Sequence, residues 1–187
     1  MRVIAGSLKG RRLTPPDWEG LRPTSDKLRE TIFNILATRI VGARVLDGYA
    51  GTGALGIEAL SRGASVVTFV DQDARAQALI AGNLARCGVT NGYAIIPADV
   101  IRAFASLGDP TRSDPFDIIL LDPPYAVSAD FEPVLAAAGE ILVPGGVAVL
   151  EHARRAAAPA RAGRLLRVRE QPAGDSALAF YEVKSEN

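Results

Sequence analysis

Three groups of residues in this chain combine type and spacing in ways that point to chemistry. The first is Gly51-x-Gly53-x-x-Gly56 with Asp71 further along. Small residues in such a turn let backbone approach a ligand, a helix starting there stabilises its negative or polar groups, and a carboxylate about 20 residues on accepts hydrogen bonds from ribose hydroxyls. This set predicts a nucleoside cofactor, whereas glycines alone could simply let the chain reverse. The second is Asp47, shortly before Gly51. A pyrophosphate favours glycine directly after the strand and no anion beside it. An acid there suits a cation, and S-adenosylmethionine, with an ammonium, a sulfonium and no phosphate, matches; a loop or helix cap is the plainer alternative for Asp47.

The third group is Asp122-Pro123-Pro124-Tyr125, directly after the apolar run Ile118 to Leu121. An exocyclic base amine is a poor nucleophile because its lone pair conjugates with the ring. The Asp122 carboxylate and the Pro123 carbonyl can accept its hydrogens and favour the pyramidal form, while Tyr125 stacks on a base splayed out of its helix or loop. The prolines fix that turn; the alternative is a Pro-Pro turn after a buried strand, capped by Asp122.

These residues need a frame to converge. From residue 43 short apolar runs alternate with helical segments. Strands are predicted near Ala43 to Leu46, Val66 to Val70, Ala94 to Pro97, Asp117 to Leu121 and Val147 to Leu150, with helices from the glycine loop through Leu60, from Ala74 to Cys87 and from Phe131 to Leu142. Such alternation is the mark of βαβ units on a parallel sheet covered on both faces. Leu165 to Val168 and Ala177 to Val183 are joined by too short a turn for a helix, so the last pair should be antiparallel. Residues 2 to 14 read as a hairpin about Gly6 to Gly10, and Thr24 or Ser25 can cap a helix that presents Leu28, Ile32, Ile35 and Leu36 on one face.

Composition agrees with one domain. The 187 residues are 48% hydrophobic and 22% charged, which is globular rather than disordered. The expected organisation is a single domain over 1–187, with an N-terminal hairpin and helix over 1–40 and the core over 41–187. A lone cysteine, Cys87, forbids an intrachain disulfide and suits a reducing compartment, so a cytoplasmic location is expected. No apolar run is long enough for a membrane helix, and no metal-ligand spacing is visible. Net charge is zero, yet residues 1–39 hold eight Lys/Arg against four Asp/Glu. A second basic cluster runs from Arg154 to Arg169. By charge alone both read as solvated faces. Trp18, in a polar loop, either stacks on RNA or anchors the loop; His152 and Cys87 read as structural.

The chain resembles the bacterial small-subunit (16S) ribosomal RNA guanine-N2 methyltransferases over nearly its whole length. The resemblance lies in Val3 to Leu13, Arg22 to Asn34, Val45 to Gly56, Glu58 to Ala64 and Leu121 to Tyr125. The Asp-Pro-Pro-Tyr motif is shared by many amino-methyltransferases, whereas the N-terminal arm and the Arg-Pro-Thr helix entry are narrower. The resemblance implies a Rossmann-like class I α/β sheet of about seven strands. It implies methyl transfer from S-adenosylmethionine to a guanine N2 amine, by a monomer acting on the RNA or the assembling subunit. Asp47, Gly51 and Gly53 then hold the methionine end, with Thr24 at its carboxylate; Asp71 takes the ribose; Asp99 and Val100 recognise adenine; and Asp122, Pro123, Pro124 and Tyr125 present the amine. Lys9, Arg11, Arg12 and Arg22 become RNA-backbone contacts. Gly48-Tyr49 replaces the family's usual Leu-Phe, Thr52 its Ser and Asp71 its Glu; Asp is one methylene shorter, so Asp73 is a second candidate for the ribose. An amino-methyltransferase acting on adenine N6 or another base amine, in DNA or other RNA, is the alternative.

Overall fold

Val45, Leu46, Ile118 and Ile119 set the frame, because alternate side chains of a strand point to opposite faces. In the computed structural model, which describes residues 1–19, 24–109, 111, 114–124 and 131–183, Val45 and Ile118 enter one hydrophobic cluster and Leu46 and Ile119 the other. Strands buried on both faces are what a parallel sheet between two helical layers requires.

The elements in chain order are α1 (Asp26–Ile35), β1 (Arg44–Gly48), α2 (Ala54–Ser61), β2 (Val66–Asp71), α3 (Ala74–Arg86), β3 (Tyr93–Pro97), α4 (Val100–Leu107) and β4 (Phe116–Leu121). They continue with α5 (Glu132–Glu140), β5 (Leu142–Ala153), β6 (Arg161–Ala162), β7 (Leu165–Ala173) and β8 (Ser176–Val183). The sheet has eight strands in the order β3-β2-β1-β4-β5-β8-β7-β6. The first five run parallel to their neighbours, and β8, β7 and β6 join antiparallel. Helices α1, α2 and α3 cover one face through Ile32, Phe33, Ile57, Ile80 and Leu84, while α4 and α5 cover the other through Phe104 and Leu135. Among the described residues no helix is long and apolar enough to cross a membrane.

The α/β class and the antiparallel tail follow the sequence reading; three details differ. The eighth strand is the two-residue β6, too short to register in a pattern. Helix α4 occupies a stretch with no assigned element. The N-terminal arm is a hairpin, closed by the Val3 N–H to the Arg11 carbonyl, the Gly10 N–H to the Val3 carbonyl and the Leu13 N–H to the Met1 carbonyl, but its pairing is limited to the one antiparallel bridge Arg2–Arg12 and makes no extended strands. The arm is also held sideways: Ile4 and Ala5 donate their N–H groups to Glu58 on α2, and Ser61 Oγ accepts from the Leu8 N–H.

Candidate functional site

The carboxyl ends of β1, β2, β3 and β4 open on one cavity of about 490 Å³. This is where an open parallel sheet binds ligands. The register aligns Gly48 with Val70 on one side and with Leu121 on the other, so the residues following each strand reach the same level.

Asp47 lies beneath that level. It is 1% exposed, and its carboxylate accepts the Gly56 N–H at 2.8 Å, tying the strand end to α2. Its second oxygen, Oδ1, is buried with no hydrogen-bond partner. Burial pushes this carboxyl well above the usual carboxylate range; the Gly56 N–H opposes that, and the nearby Asp122 and Asp71 charges push it further up. A buried carboxylate in the field of two others has an unmet demand for positive charge.

The glycine loop is built to the same end. Gly53 is the N-cap of α2 in the left-handed region at φ 76°, which costs a β-carbon-bearing residue steric strain. Gly56 lets α2 lie against β2: a Cβ there would meet the Phe69 ring at 2.2 Å. Asp71 accepts the Gly51 N–H at 2.9 Å with one oxygen and the Asp73 N–H at 2.9 Å with the other. A carboxylate has about four acceptor sites, so this brace for the loop still has capacity for hydroxyl donors. Asp73 is differently engaged. It caps α3 through the Arg75 N–H and pairs with the Arg75 guanidinium at 2.6 Å, which holds its carboxyl below the usual range. Of the two ribose candidates, Asp71 is the less committed.

Asp99 caps α4 by accepting the Ile101 and Arg102 N–H groups, and Val100 follows at the wall. Tyr49, between Asp47 and Gly51, also lines the cavity and adopts φ 60°, a left-handed conformation rare for a residue with a β-carbon. Burial, then the Asp99 charge, raises its phenol. At the far side, Thr24 Oγ1 donates to Asp122 Oδ2 at 2.7 Å, fastening the chain just before α1 to the first residue after β4. Pro123 and Pro124 continue that wall.

Thr24, Gly51, Asp71, Asp73, Asp99, Val100, Asp122, Pro123 and Pro124 therefore meet in one cavity, with Asp47 and Gly53 supporting it from below. Tyr125 and Arg22 lie outside the described residues. Lys9, Arg11 and Arg12 are exposed on the arm and line no part of this cavity. The Arg154 to Arg169 cluster is split by the sheet: Arg154 follows the carboxyl end of β5, whereas Arg161 opens β6 and Arg164 follows it, and Leu166, the partner of Arg161, sits in register with Glu182 and Val147 near the opposite edge.

Four buried polar residues that the sequence reading gave no individual role hold this arrangement. Glu58, Ser61 and Arg29 anchor the arm. Asn83, fully buried on α3, accepts the Thr14 N–H, donates to the Thr14 carbonyl, and donates to the Thr52 carbonyl in the glycine loop. An Asn on the otherwise apolar face of α3, with Ala76, Ile80 and Leu84, was the signal available for it.

The arrangement can hold a cation-bearing nucleoside and present it to a polar acceptor at Asp122. A family model described as conserved hypothetical protein 95 matches residues 1–182. YlbH of Bacillus subtilis (strain 168), provisionally named an rRNA methyltransferase, is 38% identical over 186 residues, 98% of this chain and 100% of that protein. Ribosomal RNA small subunit methyltransferase D of Escherichia coli (strain K12) is 42% identical over 125 residues, 67% of this chain and 60% of that relative's length. A solved Escherichia coli structure, yhhF, provisionally named a methyltransferase, superposes with a TM-score of 0.84 at 32% identity, covering 100% of this chain and 99% of that one.

Proposed function

The chain belongs to the conserved hypothetical protein 95 family, and on that premise we propose that it methylates small-subunit ribosomal RNA at the N2 amine of a guanine, with S-adenosylmethionine as donor. One observation carries the reading: Asp122 and Pro123 wall the same cavity as the glycine loop, Asp71 and Asp99. Donor residues and acceptor residues thus face one space at the carboxyl edge of the sheet. The names of the Bacillus subtilis and Escherichia coli relatives support RNA as the acceptor class.

The bound donor supplies a methyl group on a sulfonium, which leaves as a neutral thioether. Asp47 lies below the methionine end, where its unpartnered Oδ1 answers an ammonium, and Gly51 and Gly53 allow close approach. Asp71 accepts from the ribose; Asp99 and Val100 face the adenine. The Asp122 carboxylate and Pro123 carbonyl accept the two amine hydrogens, directing the nitrogen lone pair at the methyl carbon. Thr24 fixes the Asp122 rotamer through its 2.7 Å hydrogen bond. As the new N–C bond forms, the nitrogen becomes cationic and loses a proton to Asp122 or water, so the residues act mainly by position and charge.

The test is transfer of labelled methyl from S-adenosylmethionine to small ribosomal subunits from cells lacking this gene, followed by nucleoside analysis. The expected product is N2-methylguanosine, with the rate for Asp122→Ala lower by about 10²- to 10³-fold while donor binding persists. Label on adenine or in DNA refutes the guanine reading and retains the donor.

A further inference from the structure

Trp18 is the chain's only tryptophan, and none of the motifs above accounts for its position. The segment leading to it runs alongside α3 in the opposite direction. Arg11 lies against Gly88 beyond the end of α3, Thr14 is clamped by Asn83, and the Trp18 indole stacks on Arg75 in the first turn. Helix α3 has 13 residues and so a length of about 20 Å. Both backbone groups of Thr14 are fixed by Asn83, and the indole four residues on is held by Arg75, which limits the freedom of Trp18.

Where the link delivers it is informative. The Arg75 guanidinium carbon sits 5.0 Å from the indole centroid, and the same guanidinium pairs with Asp73 at 2.6 Å. Trp18 and Arg75 both line the 490 Å³ cavity on the side of Asp71 and Asp73, away from the Asp122 wall. Because Asp73 neutralises Arg75, the indole is braced by a cation without net positive charge being added to a cavity whose floor is acidic. One face of the ring is taken by Arg75; the remainder is a broad apolar surface at the ribose end.

Resting on the methyl-donor reading above, we propose that Trp18, backed by Arg75, is the wall against which the nucleoside part of the donor packs. It contacts the donor and not the RNA, and it sets affinity for the adenosine moiety. Base or sugar stacking on an aromatic ring is expected to change affinity on the order of tenfold when the ring is removed.

The sole tryptophan makes the test direct. S-adenosylhomocysteine is titrated into the full chain while Trp18 emission and, separately, binding heat are followed. Emission should change and saturate at the calorimetric Kd. Trp18→Ala should weaken that Kd on the order of tenfold and leave the KM for RNA unchanged, Trp18→Phe should recover most of the loss, and Arg75→Ala should fall between. Binding heat with no change in emission overturns the proposal. So does a Trp18→Ala variant with unchanged Kd and a raised KM for RNA, which assigns the indole to the RNA. Absence of binding heat for the parent chain overturns the methyl-donor reading itself, and this inference with it. If Trp18→Ala does not fold, the parent emission titration and Arg75→Ala decide the matter.

Discussion

The cavity floor and the N-terminal arm are both fastened to helix α2, by opposite means. At the floor, Asp47 is the penultimate residue of a central strand, paired on both sides, and its single bond to Gly56 ties it to the helix start. Its position is set by sheet register and needs little else. The arm is a short hairpin outside the sheet and takes its position on the core from buried polar side chains: Glu58 receives two of its N–H groups, Ser61 bonds Ala5 and Leu8, and Arg29 donates to the Arg2 carbonyl. A site built on strands is specified by a repeating ladder, whereas a surface segment pinned by side chains is specified by a few residues, each individually costly to lose.

The largest effect is expected where the arm's anchor is fully buried. Arg29 and Glu58 are both 0% exposed, with Arg29 Nη1 and Glu58 Oε2 3.8 Å apart. Arg29→Ala leaves the Glu58 charge buried beside one remaining cation, Arg62, and should destabilise the chain by about 3–5 kcal/mol in urea unfolding. It should also expose the arm to proteolysis before the core opens; loss of stability with no change in arm cleavage would mean that the arm is held by its apolar residues Val3 and Leu13 instead.

Next in size is the change at Asp47, with the opposite sign. Its carboxyl is raised, mainly by burial. Between the ordinary value, about 3.9, and the raised one, the folded chain therefore keeps a proton that the unfolded chain has released, and stability falls as pH rises across that window. Asp47→Asn removes this dependence. The variant should exceed the parent in Tm at neutral pH, converge on it near pH 4, and lose donor affinity because the ammonium has no carboxylate to meet. A parent–variant gap in Tm that does not vary with pH refutes the raised carboxyl. Asn83→Ala tests the joint between the two regions. It frees Thr14 and the Thr52 carbonyl together, and should cost about 1–3 kcal/mol and raise the KM for the donor more than it lowers kcat.

The same contrast decides what could be read from sequence. Ile118 to Leu121 and Val66 to Val70 are legible as strands because burial on both faces writes a continuous apolar run, and Asp47, Gly51, Asp71 and Asp122 stand at the ends of such runs. The pairings of Glu58, Ser61 and Asn83 with the arm were not legible, since those partners lie 53 to 69 positions away and no local pattern encodes such a pairing. Helix α4 was legible in principle: Val100, Ala103 and Phe104 share a buried face behind the Asp99 cap. Asp99 thus serves as a helix start as well as a candidate adenine contact. Strand β5 begins at Leu142, before Gly145 and Gly146, residues that read as a break but sit within the strand.

The smallest effect is the most selective. Ser61 Oγ donates to the Ala5 carbonyl and accepts the Leu8 N–H, while the Ser61 carbonyl independently accepts the Ser7 N–H. Ser61→Ala removes the first two bonds and keeps the third, which depends only on backbone, so the arm loosens without leaving α2. The expected cost is about 1 kcal/mol. Ser61 lines no part of the donor cavity, and the Kd for S-adenosylhomocysteine should stay at the parent value. If Lys9, Arg11 and Arg12 hold RNA backbone as proposed, the KM for RNA rises and its salt dependence flattens, because a mobile arm holds fewer phosphates at once. An unchanged RNA KM with the same loss of stability makes the arm a structural cover for α2 and moves RNA recognition elsewhere on the molecule.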